Sequence, residues 1–180
     1  LITNLNRAAQ LIQSFKQVAV DQSSDEIRKF DLKAYIQEVV LSLDPQIKRT
    51  NHRVEVSGSG KLEVTSYAGA ISQIISNFIL NSIQHGYKDQ ERGLINIELS
   101  KENSNINITY KDDGSGIPEE YQNKIFNPFF TTARGAGGSG LGLHIVHNLV
   151  TQKLKGKIAY KGHPGEGVKF IISLPRETVS

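Results

Sequence analysis

Two runs, Ile95-Asn96-Ile97-Glu98-Leu99 and Ile106-Asn107-Ile108-Thr109-Tyr110, alternate apolar and polar side chains without interruption. Successive side chains of an extended strand point to opposite faces, so each run buries one face of a sheet and leaves the other wet. Such a sheet needs a cover. Residues 67–85 supply one, because Ile71, Ile74, Ile75, Phe78 and Ile79 recur at helical spacing. Residues 33–49 carry a second stripe (Ile36, Val39, Val40, Leu43, Ile47), and a third helix is expected over residues 139–154. Shorter strands are predicted at Phe30-Asp31-Leu32, Val54-Glu55-Val56, Leu62-Glu63-Val64, 157–161 and 167–174. Gly58-Ser59-Gly60 predicts a β-hairpin joining the second and third of these. Strand runs with helices between them imply an α+β fold, a two-layer sandwich with helices on one face of a mixed, mostly antiparallel sheet.

At 180 residues there is room for one such domain and an appended element. That element is residues 1–22, where Leu1, Leu5, Ala8, Ile12, Phe15 and Ala19 follow the rhythm of a heptad seam and Leu11 and Val18 widen it. The helix either packs on its own domain or is half of a helical hairpin whose partner lies upstream. Zero cysteines exclude disulfides, thiolate metal sites and cysteine nucleophiles. No apolar run approaches the ~18 residues that span a bilayer, and no signal peptide opens the chain, so a soluble piece of a longer protein is expected. The net charge of +3 is spread over both signs, with no basic cluster interleaved with aromatics; nucleic acid is not an expected partner.

The glycines locate the chemistry. Seven of the 16 lie between positions 114 and 142, where backbone must turn sharply or approach a ligand closely. Gly138-Ser139-Gly140-Leu141-Gly142 runs into an apolar helix, whose unpaired N–H groups and dipole suit a phosphate chain; a plain glycine-rich loop is the other reading. P-loop and dinucleotide fingerprints are absent. Asp112-Asp113-Gly114-Ser115-Gly116 ends a strand, where a carboxylate can accept a hydrogen bond from an exocyclic amine or simply sit in an Asp-Gly turn. Asn77 and Asn81 share a helix face, with Ser82, Gln84 and His85 close by. Their amides can offer oxygen to Mg²⁺ or satisfy buried backbone groups.

In order, Asn77 to Asn81, Asp112 to Gly116, Phe126-Asn127-Pro128-Phe129-Phe130, Gly138 to Gly142 and Gly165-Glu166-Gly167 resemble the N, G1, F, G2 and G3 boxes of sensor histidine kinases. Those boxes mark the ATP-binding domain of the gyrase, chaperone, histidine kinase and mismatch-repair superfamily. The resemblance covers residues 31–180 and implies the Bergerat fold, while residues 1–30 resemble the second helix of the kinase dimerisation hairpin and its linker.

It further implies ATP and Mg²⁺ as cofactors. Asp112 would bind the adenine amino group, with Gly114, Gly116 and Ile117 beside the base and Gly167 and Val168 behind it. Asn81 would hold Mg²⁺ and Asn77 would stand next to it, with His85 near a phosphate. The backbone of Gly138, Ser139, Gly140, Leu141, Gly142 and Leu143 would cradle the phosphates. Phe126, Phe129 and Phe130 would anchor a lid over roughly 117–137 that carries Thr131, Thr132 and Arg134, the last as a cation for the γ-phosphate. Asn77, Asn81 and Arg134 would form the catalytic set.

An amide cannot act as a general base, so Asn77 disfavours the rapid hydrolysis of the gyrase and chaperone branches and favours transfer to a protein histidine. None of His52, His85, His144, His147 and His163 is followed by an acidic residue, so the acceptor would lie upstream, on the missing half of the hairpin. His144 and His147 are three apart on a helix but lack a third metal ligand in sequence. Gln84 replaces a frequent lysine and Val168 a common threonine, which leaves open a decayed module that binds nucleotide or a partner without transferring phosphate. The remaining implied partners are a response regulator and a second copy of the full-length protein. The implied location is a cytoplasmic domain of a parent that an inner-membrane anchor would suit.

Overall fold

The computed structural model describes residues 18, 21, 26–58, 60–87, 92–131 and 140–178. Of the expected N-terminal helix only Val18 and Asp21 fall among these, both helical and buried; the rest lies outside the described residues. Asp21 accepts from Arg28 Nη2 at 2.9 Å, and the same guanidinium lies over the rings of Phe30 and Tyr35, which ties the approaching chain to the domain.

The strands sort into two sheets. β1 (Ile27–Asp31) pairs antiparallel with β3 (Glu63–Tyr67) in a two-stranded sheet. The larger sheet holds β2 (His52–Gly58), β4 (Gly93–Glu102), β5 (Asn105–Asp112), β6 (Lys157–Tyr160) and β7 (Lys169–Pro175), in the order β2-β4-β5-β7-β6. All its pairings are antiparallel except β2 with β4. The alternation read from sequence holds: Ile95, Ile97, Leu99, Ile106, Ile108, Tyr110, Phe170, Ile172 and Leu174 form one buried face.

Helices cover that face. α1 (Leu32–Ser42) is capped by the Asp31 carboxylate, which accepts from Ala34 N at 2.9 Å, and a short α2 (Asp44–Ile47) follows it. α3 (Ala68–Asn81) is the central helix, with Ile71, Ile74, Ile75, Phe78 and Ile79 buried, and it continues into a π-helical turn, Ser82–Gly86. After the single turn α4 (Glu119–Gln122), α5 (Gly142–Asn148) packs on α3 and likewise ends in a π-helical turn, Leu149–Lys153. The third helix therefore starts three residues later than 139 among the described residues and loosens after Asn148.

The expected hairpin of β2 with β3 does not form. β2 instead lies at the edge of the larger sheet, parallel to β4, with His52 opposite Gly93 and Gly58 opposite Leu99. No residue of β2 is fully buried, which suits an edge better than a place between two strands. Gly58 ends the strand at φ +143°, so close to Leu99 that an added Cβ would lie 2.7 Å from its carbonyl oxygen. The glycines thus let the chain leave one sheet and enter the other.

Candidate nucleotide site

Strand parity puts a charge in the core. Asp112 follows Tyr110 by two residues, so its side chain points to the same covered face, and only 1% of it is exposed. A buried carboxylate is costly unless hydrogen-bonded, and this one is well supplied. Oδ1 accepts from Gly114 N at 3.1 Å and Val168 N at 2.9 Å, and Oδ2 accepts a short bond from Ser82 Oγ. Ser82 Oγ lies 2.7 Å from the Tyr110 hydroxyl, whose pKa burial pushes well up. Ser82 reaches in because the π-helical turn turns the chain inward at the end of α3; such turns recur at functional sites.

Backbone crowds the rest of the carboxylate. Gly167 has φ +80°, and a Cβ there would lie 1.9 Å from the Asp112 carbonyl oxygen, so only glycine fits. Ser115 N donates to Gly86 O and Gly165 N to Ser115 O, both at 2.8 Å, stitching the turn after β5 to the end of α3 and to the loop before β7. Gly114 packs on the Gly86 carbonyl, and Gly116 on the carbonyls of His163 and Gly167. Gly86 is less crowded: an added Cβ would stand in ordinary contact with Oδ2, at 3.5 Å.

The amide pair forms the second half. Asn77 and Asn81, both half-buried on α3, face the start of α5. A Cβ on Gly142 would meet Asn81 Nδ2 at 3.5 Å and both Asn77 Oδ1 and Asn81 Oδ1 at 3.6 Å. Two amide oxygens therefore border the gap that the missing side chain leaves at the helix start. That donor set, neutral oxygens beside a helix N-terminus, fits a hard cation accompanied by phosphate. Among the described residues no three His, Cys, Asp or Glu side chains gather to hold a metal by themselves.

The remaining expected residues divide. Ile117 and Leu143 pack against the core, as does Phe126, whose ring lies 5.2 Å from His147 and 6.2 Å from Phe170. The Phe126 carbonyl is held by His144 Nδ1 at 3.0 Å, and His144 Nε2 meets Asn148 Nδ2 at 3.0 Å, so His144 is occupied. Phe130 rests 5.5 Å from Tyr121, followed by half-buried Thr131. Phe129, unlike the other two, points outward rather than onto the core: it sits at φ +61° with 65% of its surface exposed, while Phe126 and Phe130 take the inward positions. Gly140 presses on the Phe129 and Phe130 carbonyls at φ +68°, which joins the F segment to Leu141, the N-cap of α5. His85 is half-buried in the π-helical turn, and Gln84 is exposed. Thr132, Arg134, Gly138 and Ser139 lie outside the described residues.

Two contributors escape a sequence reading and a third is read only in part. Gly86 stands apart from the glycine cluster, Tyr110 reads as core, and Ser82 is placed near the amide pair but not against Asp112. The parity of Tyr110 with Asp112 was the available signal. The hydroxyl that the resemblance puts at position 168, and that Val168 lacks, is matched by Ser82 from the other side of the carboxylate.

The family model for the histidine kinase-, DNA gyrase B- and HSP90-like ATPases matches residues 67–178, which run from the end of β3 through the amide pair and Asp112 to the far side of β7. The chain belongs to this family. Within it, this ATPase-family domain is similar to sporulation kinase A of Bacillus subtilis, 26% identical over 98% of this chain and 28% of that kinase. It is also similar to the sensor histidine kinase ZraS of Escherichia coli, 34% identical over 63% of this chain and 23% of that protein. The nucleotide-free catalytic domain of histidine kinase ThkA superposes with a TM-score of 0.75 at 30% identity, covering 85% of this chain and 97% of that one. The fold is that of histidine kinase catalytic domains. The chain spans only 17–28% of the length of the first curated relatives it matches. Among the described residues no helix is long and apolar enough to cross a membrane.

Proposed function

We propose that this domain binds ATP with Mg²⁺ and passes the γ-phosphate to a histidine on a helical hairpin, as the catalytic part of a two-component sensor kinase. The observation that carries it is the pairing of a buried, backbone-held Asp112 with the Asn77–Asn81 amides at the start of α5. Asp112 offers an acceptor to the adenine amino group beside the Gly114–Gly116 turn. Asn81, with Asn77 beside it, borders the place where the phosphates and Mg²⁺ would lie. Bound there, Mg²⁺ supplies charge neutralisation for the phosphate oxygens. The N–H groups at the start of α5 add hydrogen bonds and a favourable dipole end. Asn77, being an amide, takes no proton from water, so the preferred acceptor is a protein side chain. In the transfer an imidazole nitrogen bonds to the γ-phosphorus, the bond to the bridging oxygen breaks, and ADP leaves. In this reading Arg134 completes the catalytic set with Asn77 and Asn81, and the segment around Gly138 and Ser139 cradles the phosphates.

Residues 1–30 supply the second hairpin helix and its linker, and residues 31–180 the catalytic domain. A full-length homodimer, a response regulator as phosphate receiver and a membrane-anchored parent complete the proposal. ThkA has been captured with the response regulator TrrA, and that complex matches 97% of this chain at 26% identity.

The test is calorimetry with an ATP analogue, with and without Mg²⁺, followed by transfer from radiolabelled ATP to a supplied hairpin. Magnesium-dependent binding and labelling that Asp112→Asn and Asn81→Ala abolish are expected. No affinity for adenine nucleotides under either condition refutes the reading. Binding without transfer to any supplied histidine supports the decayed module instead.

A further inference from the structure

We propose that Ser82 and Tyr110 are positioning residues for Asp112, and that the relay they form sets the discrimination between 6-amino and 6-oxo purine nucleotides. This rests on the reading that a purine docks on Asp112.

The argument is a count of protons and lone pairs. A carboxylate offers about four acceptor positions. Gly114 N and Val168 N occupy Oδ1, and Ser82 Oγ occupies one position on Oδ2. One position remains, on Oδ2, the oxygen turned towards Gly86, where an added Cβ would lie 3.5 Å away. A serine hydroxyl has a single proton, and here it is given to Oδ2. The 2.7 Å contact between Ser82 Oγ and the Tyr110 hydroxyl must then be donated by Tyr110. The relay runs one way, from phenol to hydroxyl to carboxylate, and ends on an oxygen that can only accept.

All three groups are rigid. Tyr110 is 1% exposed, its ring packed against Phe78 at 4.9 Å with a 33° tilt, and it shares β5 with Asp112. Burial pushes the phenol pKa up, so the hydroxyl stays protonated and keeps donating. Ser82 is buried at the first position of the π-helical turn. With its orientation held in this way, Asp112 accepts from a 6-amino group and repels a 6-oxo oxygen. Without the serine hydroxyl, Oδ2 loses its partner and the carboxylate is free to rotate, so the bond from a 6-amino group weakens while a 6-oxo nucleotide, which makes no such bond, loses nothing comparable.

The experiment measures the affinities of ATP and inosine triphosphate for the 180-residue chain by calorimetry, as wild type, Ser82→Ala, Tyr110→Phe and the double variant. Thermal unfolding confirms that each is folded. The expected result is a fall of about tenfold in the ATP-to-ITP affinity ratio for Ser82→Ala, in keeping with loss of one charge-assisted hydrogen bond. Tyr110→Phe moves the ratio the same way by less, and the double variant is no worse than Ser82→Ala because tyrosine acts through serine. A purely structural role would weaken both nucleotides together and leave the ratio alone. A wild-type ratio in folded Ser82→Ala overturns the inference while leaving the docking site intact. Should Ser82→Ala not fold, an unchanged ratio in Tyr110→Phe, which keeps the ring's packing on Phe78, overturns it equally. A wild type that binds neither nucleotide removes the docking site itself and the inference with it.

Discussion

Gly142→Ala separates stability from binding. Gly142 is the first residue of α5, and the added methyl would meet the Asn77 and Asn81 amide atoms at 3.5–3.6 Å, ordinary contact distances that require nothing to move. Alanine is favoured over glycine within helices by about 0.8–1.0 kcal/mol, and about half of that is a fair share at a first-turn position. For a domain of this size such a gain raises Tm by about 1–2 °C. The same methyl fills the gap between the amide pair and the helix start, where a phosphate oxygen or cation would sit. Magnesium-dependent affinity for an ATP analogue should therefore fall at least about tenfold, or ~1.4 kcal/mol. Differential scanning calorimetry and titration calorimetry on one preparation read both numbers. A folded variant with wild-type affinity would show that the gap is not part of the site. A Tm lowered by more than about 5 °C would show that the packing there is tighter than described.

Gly167→Ala should do the opposite, since its Cβ would fall 1.9 Å from the Asp112 carbonyl at φ +80°; a loss of about 3 kcal/mol or more is expected, read by urea unfolding. Phe129→Ala should leave unfolding within about 0.5 kcal/mol, because that ring is 65% exposed. Phe126→Ala, whose ring contacts His147 and Phe170, should cost about 2–3 kcal/mol. The His52 ring lies 4.1 Å from that of Tyr87, tilted by 33°, and burial lowers its pKa below the ordinary 6.5 against a weaker opposing pull from Asp113. The unfolded chain then binds more protons, so stability should fall as pH drops through 6.5 towards the folded value, and His52→Gln should flatten that slope in thermal scans.

The sheet and its cover were legible because periods of 2 and 3.6 are local properties of the chain, and Ile95 to Leu99 and Ile106 to Tyr110 display theirs without exception. Pairing is not local. Val54-Glu55-Val56 and Leu62-Glu63-Val64 look like hairpin arms across two glycines, yet β3 finds β1 and β2 finds β4, partners distant in sequence. The site was legible to the extent that its members are rare residues in telling places: two asparagines on an apolar helix, an aspartate closing a strand, glycines ahead of a helix. What supports them was hidden. Ser82 enters only because the helix widens to a π turn, and nothing in Ser82-Ile83-Gln84-His85-Gly86 announces that turn. The F segment misled for a related reason, since three phenylalanines at 126, 129 and 130 cannot all face inward from a chain that turns at Phe129.

Thr65, in the middle of β3, receives the far end of the chain as well as the near one. Its amide donates to Arg176 O, its carbonyl accepts from Thr178 N, and β1 runs along the other side of the strand. Entry and exit are thus buttoned to a single thread of backbone, outside the five-stranded sheet that carries Asp112. A longer protein can suspend this domain from one small clasp and swing it as a unit without unpicking the ladder around the carboxylate.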